Sequence, residues 1–301
     1  NMNMNNESNF YLTLLSNSSK LYFPQNTSTH FCTQLPKTIH LDGEWVVGLA
    51  ELQYPCSFLS LQENENNIKC RYAISKPLNN DVLNSVLHDE RFAPYFRKRM
   101  TYFKYNSIEE INFDDGDMFF EDSLEYNTSI GAGNYESIES ILDALNKNEY
   151  LMKDKVKFSV ADGTNKIHVS SPSSTLMSIT LSPKLSLQLG FEPNTNVLNK
   201  TSAHPSNILL GLPSHFFLYC DIIEPQLIGD VLAKVLRVVV IDNSEYHYGT
   251  HRVQFFLEPH YIPVLKREFE NIEIDIRTDT GDKIPFQFGT VCIKLHFRRL
   301  K

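Results

Sequence analysis

Three groups of side chains in this chain have types and spacings that could support chemistry. Asp114, Asp115 and Asp117 gather around Gly116, and hard cations such as Ca2+ seek clustered carboxylate oxygens. The spacing is not that of an EF-hand, and no glutamate completes such a loop, so a solvated acidic loop is the default reading. Tyr246-His247-Tyr248-Gly249-Thr250-His251, near Asp242 and Glu245, offers two imidazoles to a metal. Gly249 marks a loop and no cysteine is near, so surface histidines at a hairpin tip are the plainer reading. Gly131-Ala132-Gly133-Asn134-Tyr135 opens like a dinucleotide fingerprint. It lacks the third glycine and the preceding strand that give the fingerprint its phosphate-cradling geometry, and reads as a lead-in to a helix.

Cations interleaved with aromatics form a further group. Arg91, Arg97, Lys98, Arg99 and Lys104 sit among Phe92, Tyr95, Phe96, Tyr102 and Phe103. Such a mixture suits a protein interface, where Arg and aromatics are enriched, or contact with nucleic acid. The chain ends on a second basic tip, Arg298, Arg299 and Lys301. Arg97, Lys98, Arg99, Arg298 and Arg299 are therefore the candidate interaction surface. The net charge argues against general nucleic-acid contact: 28 Lys and Arg stand against 36 Asp and Glu, a formal −8, and phosphate binding needs the opposite balance. No Gly-x-Ser-x-Gly elbow, HExxH helix or P-loop occurs, and no carboxylate pair stands out from the rest. No catalytic, cofactor or metal residue is assigned, and an enzyme is not expected.

The elements that must position these groups are mostly strands. Ile272, Ile274 and Ile276 alternate with polar residues, as do Val291, Ile293, Leu295 and Phe297, with Thr280-Gly281-Asp282 as the turn between them. Further strands are expected at about 9–16, 29–35, 44–54 and 68–75, and at 215–224, 234–242 and 252–257. Trp45, on an alternating strand, is expected in the core. The middle differs. Ile138, Ile141, Leu142 and Leu145 make one helical stripe, capped by Ser137 or Asn134. A hairpin is expected across Asp162-Gly163, between strands at 156–160 and 166–170, with another strand at 176–181. Pro183 to Leu189 is expected to be a helix closed by Gly190.

The 20 Phe and 14 Tyr among 301 residues favour β-structure, and 42% hydrophobic content is enough for a substantial core. The fold class expected is mainly β: an antiparallel single jelly-roll β-sandwich with an α+β insertion. Residues 1–8 are read as a mobile N-terminal arm, 9–75 plus 211–301 as the jelly roll, and 76–210 as the insertion. A continuous β-domain with a helix over one sheet edge is the alternative. Five scattered cysteines without a CxxC pair read as buried thiols of a reducing compartment. No apolar run approaches the roughly 18–20 residues of a membrane span, and Asn1–Asn6 lacks a signal core, so synthesis inside a cell without secretion is expected.

Several stretches carry a resemblance. They are Phe10 to Ser19, Tyr22 to Thr27, Leu41 to Pro55, Leu181 to Phe191, Leu218 to Leu232 and Phe269 to Arg299. In order along nearly the whole chain, they resemble the minor capsid (penton) proteins of Polinton/Maverick elements, adintoviruses and related virophages. The match is in turns and apolar positions, so no functional residue is carried over from it. The resemblance implies a homopentamer at the fivefold vertices of an icosahedral shell, partnered by a double-jelly-roll major capsid protein. It places the chain in the virion, with the insertion as an outward head for a host-cell receptor. Three other readings stay open. One is a jelly-roll binding module for carbohydrate or a cell-surface receptor, another a relative or fragment of the major capsid protein. The third is a host-retained transposon protein that no longer assembles.

Overall fold

A computed structural model describes residues 2–3, 8–72, 88–92 and 124–301. The chain divides into two compact units: residues 1–59 with 212–301, and residues 60–211. The first cut falls earlier than the sequence reading places it. The alternation of Asn67–Tyr72 assigns that strand to the first flank, yet its backbone pairs with Leu124–Ser129 and Leu176–Leu181 inside the insertion.

The first unit is a sandwich of eight principal strands: β1 (Asn9–Leu15), β2 (His30–His40), β3 (Trp45–Pro55), β4 (His215–Cys220), β5 (Val235–Val240), β6 (His251–Phe255), β7 (Glu268–Arg277) and β8 (Cys292–Arg299). One sheet runs β1-β8-β3-β6 and the other β2-β7-β4-β5. All pairings among the eight are antiparallel. The chain crosses between sheets at every connection except β4 to β5, and the first two strands nest against the last two. This is jelly-roll order, with the insertion between the third and fourth strands. Met2–Asn3 adds a short parallel pairing at Ile39–His40 on the free edge of β2. Of the expected arm, residues 1 and 4–7 lie outside the described residues, and the Ser8 carbonyl accepts a hydrogen bond from the Arg299 N–H at 2.9 Å.

Period-two patterning fills the space between the sheets. Ile272, Ile274 and Ile276 of β7 face Ile293, Leu295 and Phe297 of β8, all fully buried. Each such side chain contributes about 1.5–3 kcal/mol through removal from water. Trp45 lies in the same core, and its indole N–H donates to the Asp42 carbonyl at 3.1 Å. The first half of β3 is buried on both faces: Pro259, His260 and Tyr261 pass over its outer face at Gly48, while Ile262–Pro263 pairs along its edge at Val46 and Val47. The same connection crosses Gly48 so closely that a Cβ there would meet the Pro259 side chain at 2.7 Å.

The second unit has its own core. Its described residues hold the three-stranded sheet around Asn67–Tyr72, a second sheet of Lys157–Val160, Ile167–Ser170 and Lys200–Thr201, and three helices, α1 (Ile138–Asn146), α2 (Glu149–Lys153) and α3 (Pro183–Leu189). The stripe Ile138, Ile141, Leu142 and Leu145 faces inward, and Ser137 caps α1 in a reciprocal pair with Ser140. The hairpin forms across Asp162-Gly163, where Gly163 takes φ +71°. In α3, Pro183 opens the first turn and Gly190 ends it at φ +82°. The two ends of this unit meet. The Gln188 side-chain amide donates to the Ser60 carbonyl at 2.9 Å, and a Cβ on Gly211 would stand 2.8 Å from that same oxygen. No described helix is long and apolar enough to cross a membrane.

Candidate functional site

Of the basic and aromatic run, Arg97, Lys98 and Arg99 lie outside the described residues, together with Tyr95, Phe96, Tyr102, Phe103 and Lys104. The acidic group Asp114, Asp115 and Asp117 lies outside them too. Arg91 and Phe92 are described, and they are interior rather than surface groups. The Arg91 side chain is 5% exposed and holds two carboxylates, Asp89 at 2.6 Å and Asp154 at 2.8 Å. It also donates to the Tyr72 hydroxyl at 2.7 Å and the Tyr150 carbonyl at 3.2 Å. Its guanidinium lies against the Tyr72 and Phe92 rings. Burial alone would raise the Asp89 pKa, but the hydrogen bonds and charge of Arg91 outweigh it and hold that carboxyl below its ordinary range. A cation so fully used binds the second unit together and offers nothing to a partner.

Arg298 and Arg299 end β8 and are exposed. Successive strand residues point to opposite faces, so the two do not form one patch. The Arg298 guanidinium lies 4.2 Å from the centre of the Tyr261 ring. That of Arg299 lies beside the Gly43 turn.

Arg298 borders a groove on the outer face of the β1-β8-β3-β6 sheet, a feature the sequence reading missed. It has a volume of about 690 Å³ and is lined by Tyr11, Glu51, Phe255, Tyr261, Lys294 and His296, among others. Alternation along β8 puts Lys294 and His296 outward while Ile293 and Leu295 point to the core, and that pattern was the available signal. The Tyr11 and His296 rings stack at 4.4 Å, and the Tyr261 hydroxyl shares a 2.7 Å hydrogen bond with His296 Nδ1. Lys294 reaches Glu51 at 2.9 Å, and Gln53 donates to the same carboxylate. The hydrogen bonds from Gln53 and Lys294 lower the Glu51 pKa, and the bond to Glu51 raises that of Lys294. Partial burial, helped by Arg298, lowers that of His296. At neutral pH the groove therefore carries a locked ion pair and a neutral imidazole. An acid held by its neighbours in the charged form is poorly placed to donate a proton.

The other candidates resolve into structural roles. His247 and His251 are exposed, and Gly249 takes φ +91° in a turn that donates to the Cys56 carbonyl. Among the described residues no group of three or more His, Cys, Asp or Glu side chains is arranged to hold a metal ion. Gly133 exchanges backbone hydrogen bonds with Leu61, and Tyr135 donates to the Gly131 carbonyl. The glycine pair thus closes a turn before α1. All five cysteines are free thiols. Burial pushes Cys32 up to about 11 and Cys70 and Cys220 up to about 12. Such thiols are not nucleophiles at neutral pH.

No protein-family model matches the chain, and no curated protein matches it in sequence. Among solved structures, the crystal structure of the selenomethionine-labelled mavirus penton protein is similar, with a TM-score of 0.48 and 11% identity over 97% of this chain and 99% of that one.

Proposed function

We propose that the chain is a structural shell protein: a minor capsid subunit that forms homopentamers at the fivefold vertices of an icosahedral capsid, beside a double-jelly-roll major capsid protein. One observation carries the reading. The stretches that resemble penton proteins of Polinton-type elements and virophages fall largely on the strands and turns of the sandwich. Phe10 to Ser19 contains the core of β1, Leu41 to Pro55 contains β3, Leu218 to Leu232 follows from β4, and Phe269 to Arg299 spans β7 and β8. Sequence resemblance and jelly-roll order thus coincide on the same residues.

Native mass spectrometry of the purified chain across a salt series tests this reading. A ring of five 34.7 kDa subunits is expected. A closed trimer would overturn it. The groove beside Arg298 favours a second reading, a jelly-roll module for carbohydrate, because exposed Tyr11 and Phe255 offer flat apolar surface beside polar groups. Saturable binding of a saccharide by a monomer or trimer would bring that reading forward.

A further inference from the structure

Strand register lays out the floor of the groove beside Arg298. Thr13 of β1, Lys294 of β8, Glu51 of β3 and Phe255 of β6 are successive partners across all four strands of the sheet. The next outward row pairs Tyr11 with His296 and His296 with Gly48, where Pro259 and Tyr261 close over the strand as a wall. Tyr11 and Phe255 therefore stand on the two edge strands, at opposite ends of the groove, with the Lys294–Glu51 pair between them. Three strand spacings separate those edges, about 14 Å.

Each part of this floor is held in place by its neighbours. The Tyr11 ring is fixed by its stack on His296, and 58% of the residue stays exposed. His296 is fixed in turn by the Tyr261 hydroxyl. Glu51 accepts from Gln53 on one oxygen and from Lys294 on the other. Phe255 is 66% exposed. A site ordered in advance spares a ligand much of the entropy cost of binding.

The lining sets the chemistry of the ligand. Its two ionised side chains, Glu51 and Lys294, neutralise each other. Arg298 stands outside the lining, with its guanidinium over the Tyr261 ring. A charged ligand on this floor would be desolvated without a counter-charge to meet it. A wholly apolar ligand would strip water from the ion pair and return no hydrogen bond. A molecule with apolar C–H faces and a rim of hydroxyls satisfies both conditions, and that is the make-up of an uncharged sugar. Its C–H faces cover aromatic rings, while its hydroxyls accept from an ammonium and donate to a carboxylate. Two aromatic ends with a polar centre between them suit a short chain of linked sugar rings better than a single ring.

We propose that this groove binds an uncharged oligosaccharide, with Tyr11 and Phe255 each packing against a sugar ring and the Glu51–Lys294 pair hydrogen-bonding the hydroxyls between them. The inference rests on the carbohydrate reading and supplies its ligand class and contact residues; the assembly of a shell neither requires nor forbids it.

The test applies the full chain to a printed array of neutral, sialylated and sulfated oligosaccharides, and titrates the strongest neutral hit by isothermal calorimetry. Saturable binding of a neutral glycan is expected. Tyr11→Ala and Phe255→Ala, each shown by circular dichroism to stay folded, should each weaken it at least about tenfold through lost apolar contact. Both side chains are exposed, so the core stays intact. Glu51→Gln keeps the shape of the floor and leaves Lys294 without its carboxylate. It should shift the preference on the array from neutral to acidic glycans, a change that loosened packing would not produce. An unchanged preference would overturn the role given to the ion pair. Neutral binding that survives both aromatic changes would overturn the groove as the site and leave the carbohydrate reading standing, and so would binding confined to acidic glycans. No binding to any glycan on the array would overturn both.

Discussion

Arg91 is the residue whose role changes most between a list of residues and a folded chain. In sequence it belongs to a basic and aromatic run suited to a surface. In the structure it neutralises Asp89 and Asp154 in the interior of the second unit. Replacing it by methionine leaves two buried carboxylates with only Lys153, 3.7 Å from Asp89, as a cation, which costs up to about 3–5 kcal/mol at neutral pH. The pH dependence should change as well. In the native chain the Asp89 pKa lies below its ordinary 3.8, so its contribution is complete above that value and is lost as pH falls through the depressed one. In Arg91→Met burial is opposed only by Lys153, 3.7 Å from Asp89, so that pKa should rise relative to the native chain and the destabilisation should shrink as pH is lowered from about 7 to about 5. Urea unfolding followed by ellipticity at both pH values decides this. Parallel pH dependences for variant and wild type would contradict the assignment.

Elements are decided by backbone geometry as much as by side-chain pattern, and two glycines separate these influences. Gly163 and Gly190 both have left-handed φ, but a Cβ on Gly163 would meet open space, whereas on Gly190 it would stand 2.0 Å from the His204 carbonyl oxygen. Gly163→Ala should cost about 1–2 kcal/mol, the left-handed penalty alone. Gly190→Ala should cost at least about 2 kcal/mol more, because main chain must move. Urea midpoints measured at 222 nm test the ranking; equal costs would refute it. Both turns were legible, since glycine after an apolar helical run or within Asp-Gly has a local cause. So were the strands, because a buried face imposes period two on the residues themselves. Pairing was less legible. Asn67–Tyr72 alternates in the same way whichever sheet accepts it, and its partners lie over fifty residues further along the chain. The separate hairpin of Gln226–Ile228 and Val231–Ala233 also escaped notice, because Leu227, Val231 and Leu232 are exposed on it and give no inside-outside pattern. At the candidate site, the outward row of β8 was readable, but the loop that crosses Gly48 to wall the groove depends on tertiary approach.

At the scale of the whole chain, two separate cores predict two separable transitions. Trp45 is the sole tryptophan and lies in the sandwich. The described α-helices belong to the other unit. Tryptophan emission therefore reports one unit and ellipticity at 222 nm largely the other. Leu145→Ala removes a fully buried side chain from α1 and should destabilise its unit by about 2–5 kcal/mol. The midpoint at 222 nm should fall while that of Trp45 emission stays in place. Coincident shifts would mean that the units unfold as one.

The ends of the insertion meet at Ser60 and Gly211, inside a connection between two consecutive strands of the sandwich. To the sandwich, a folded body with joined ends costs little more to close than a short loop. The junction therefore acts as a socket. Another domain with adjacent termini can replace the insert while strand order stays fixed, and the two units are free to diverge at different rates in different lineages.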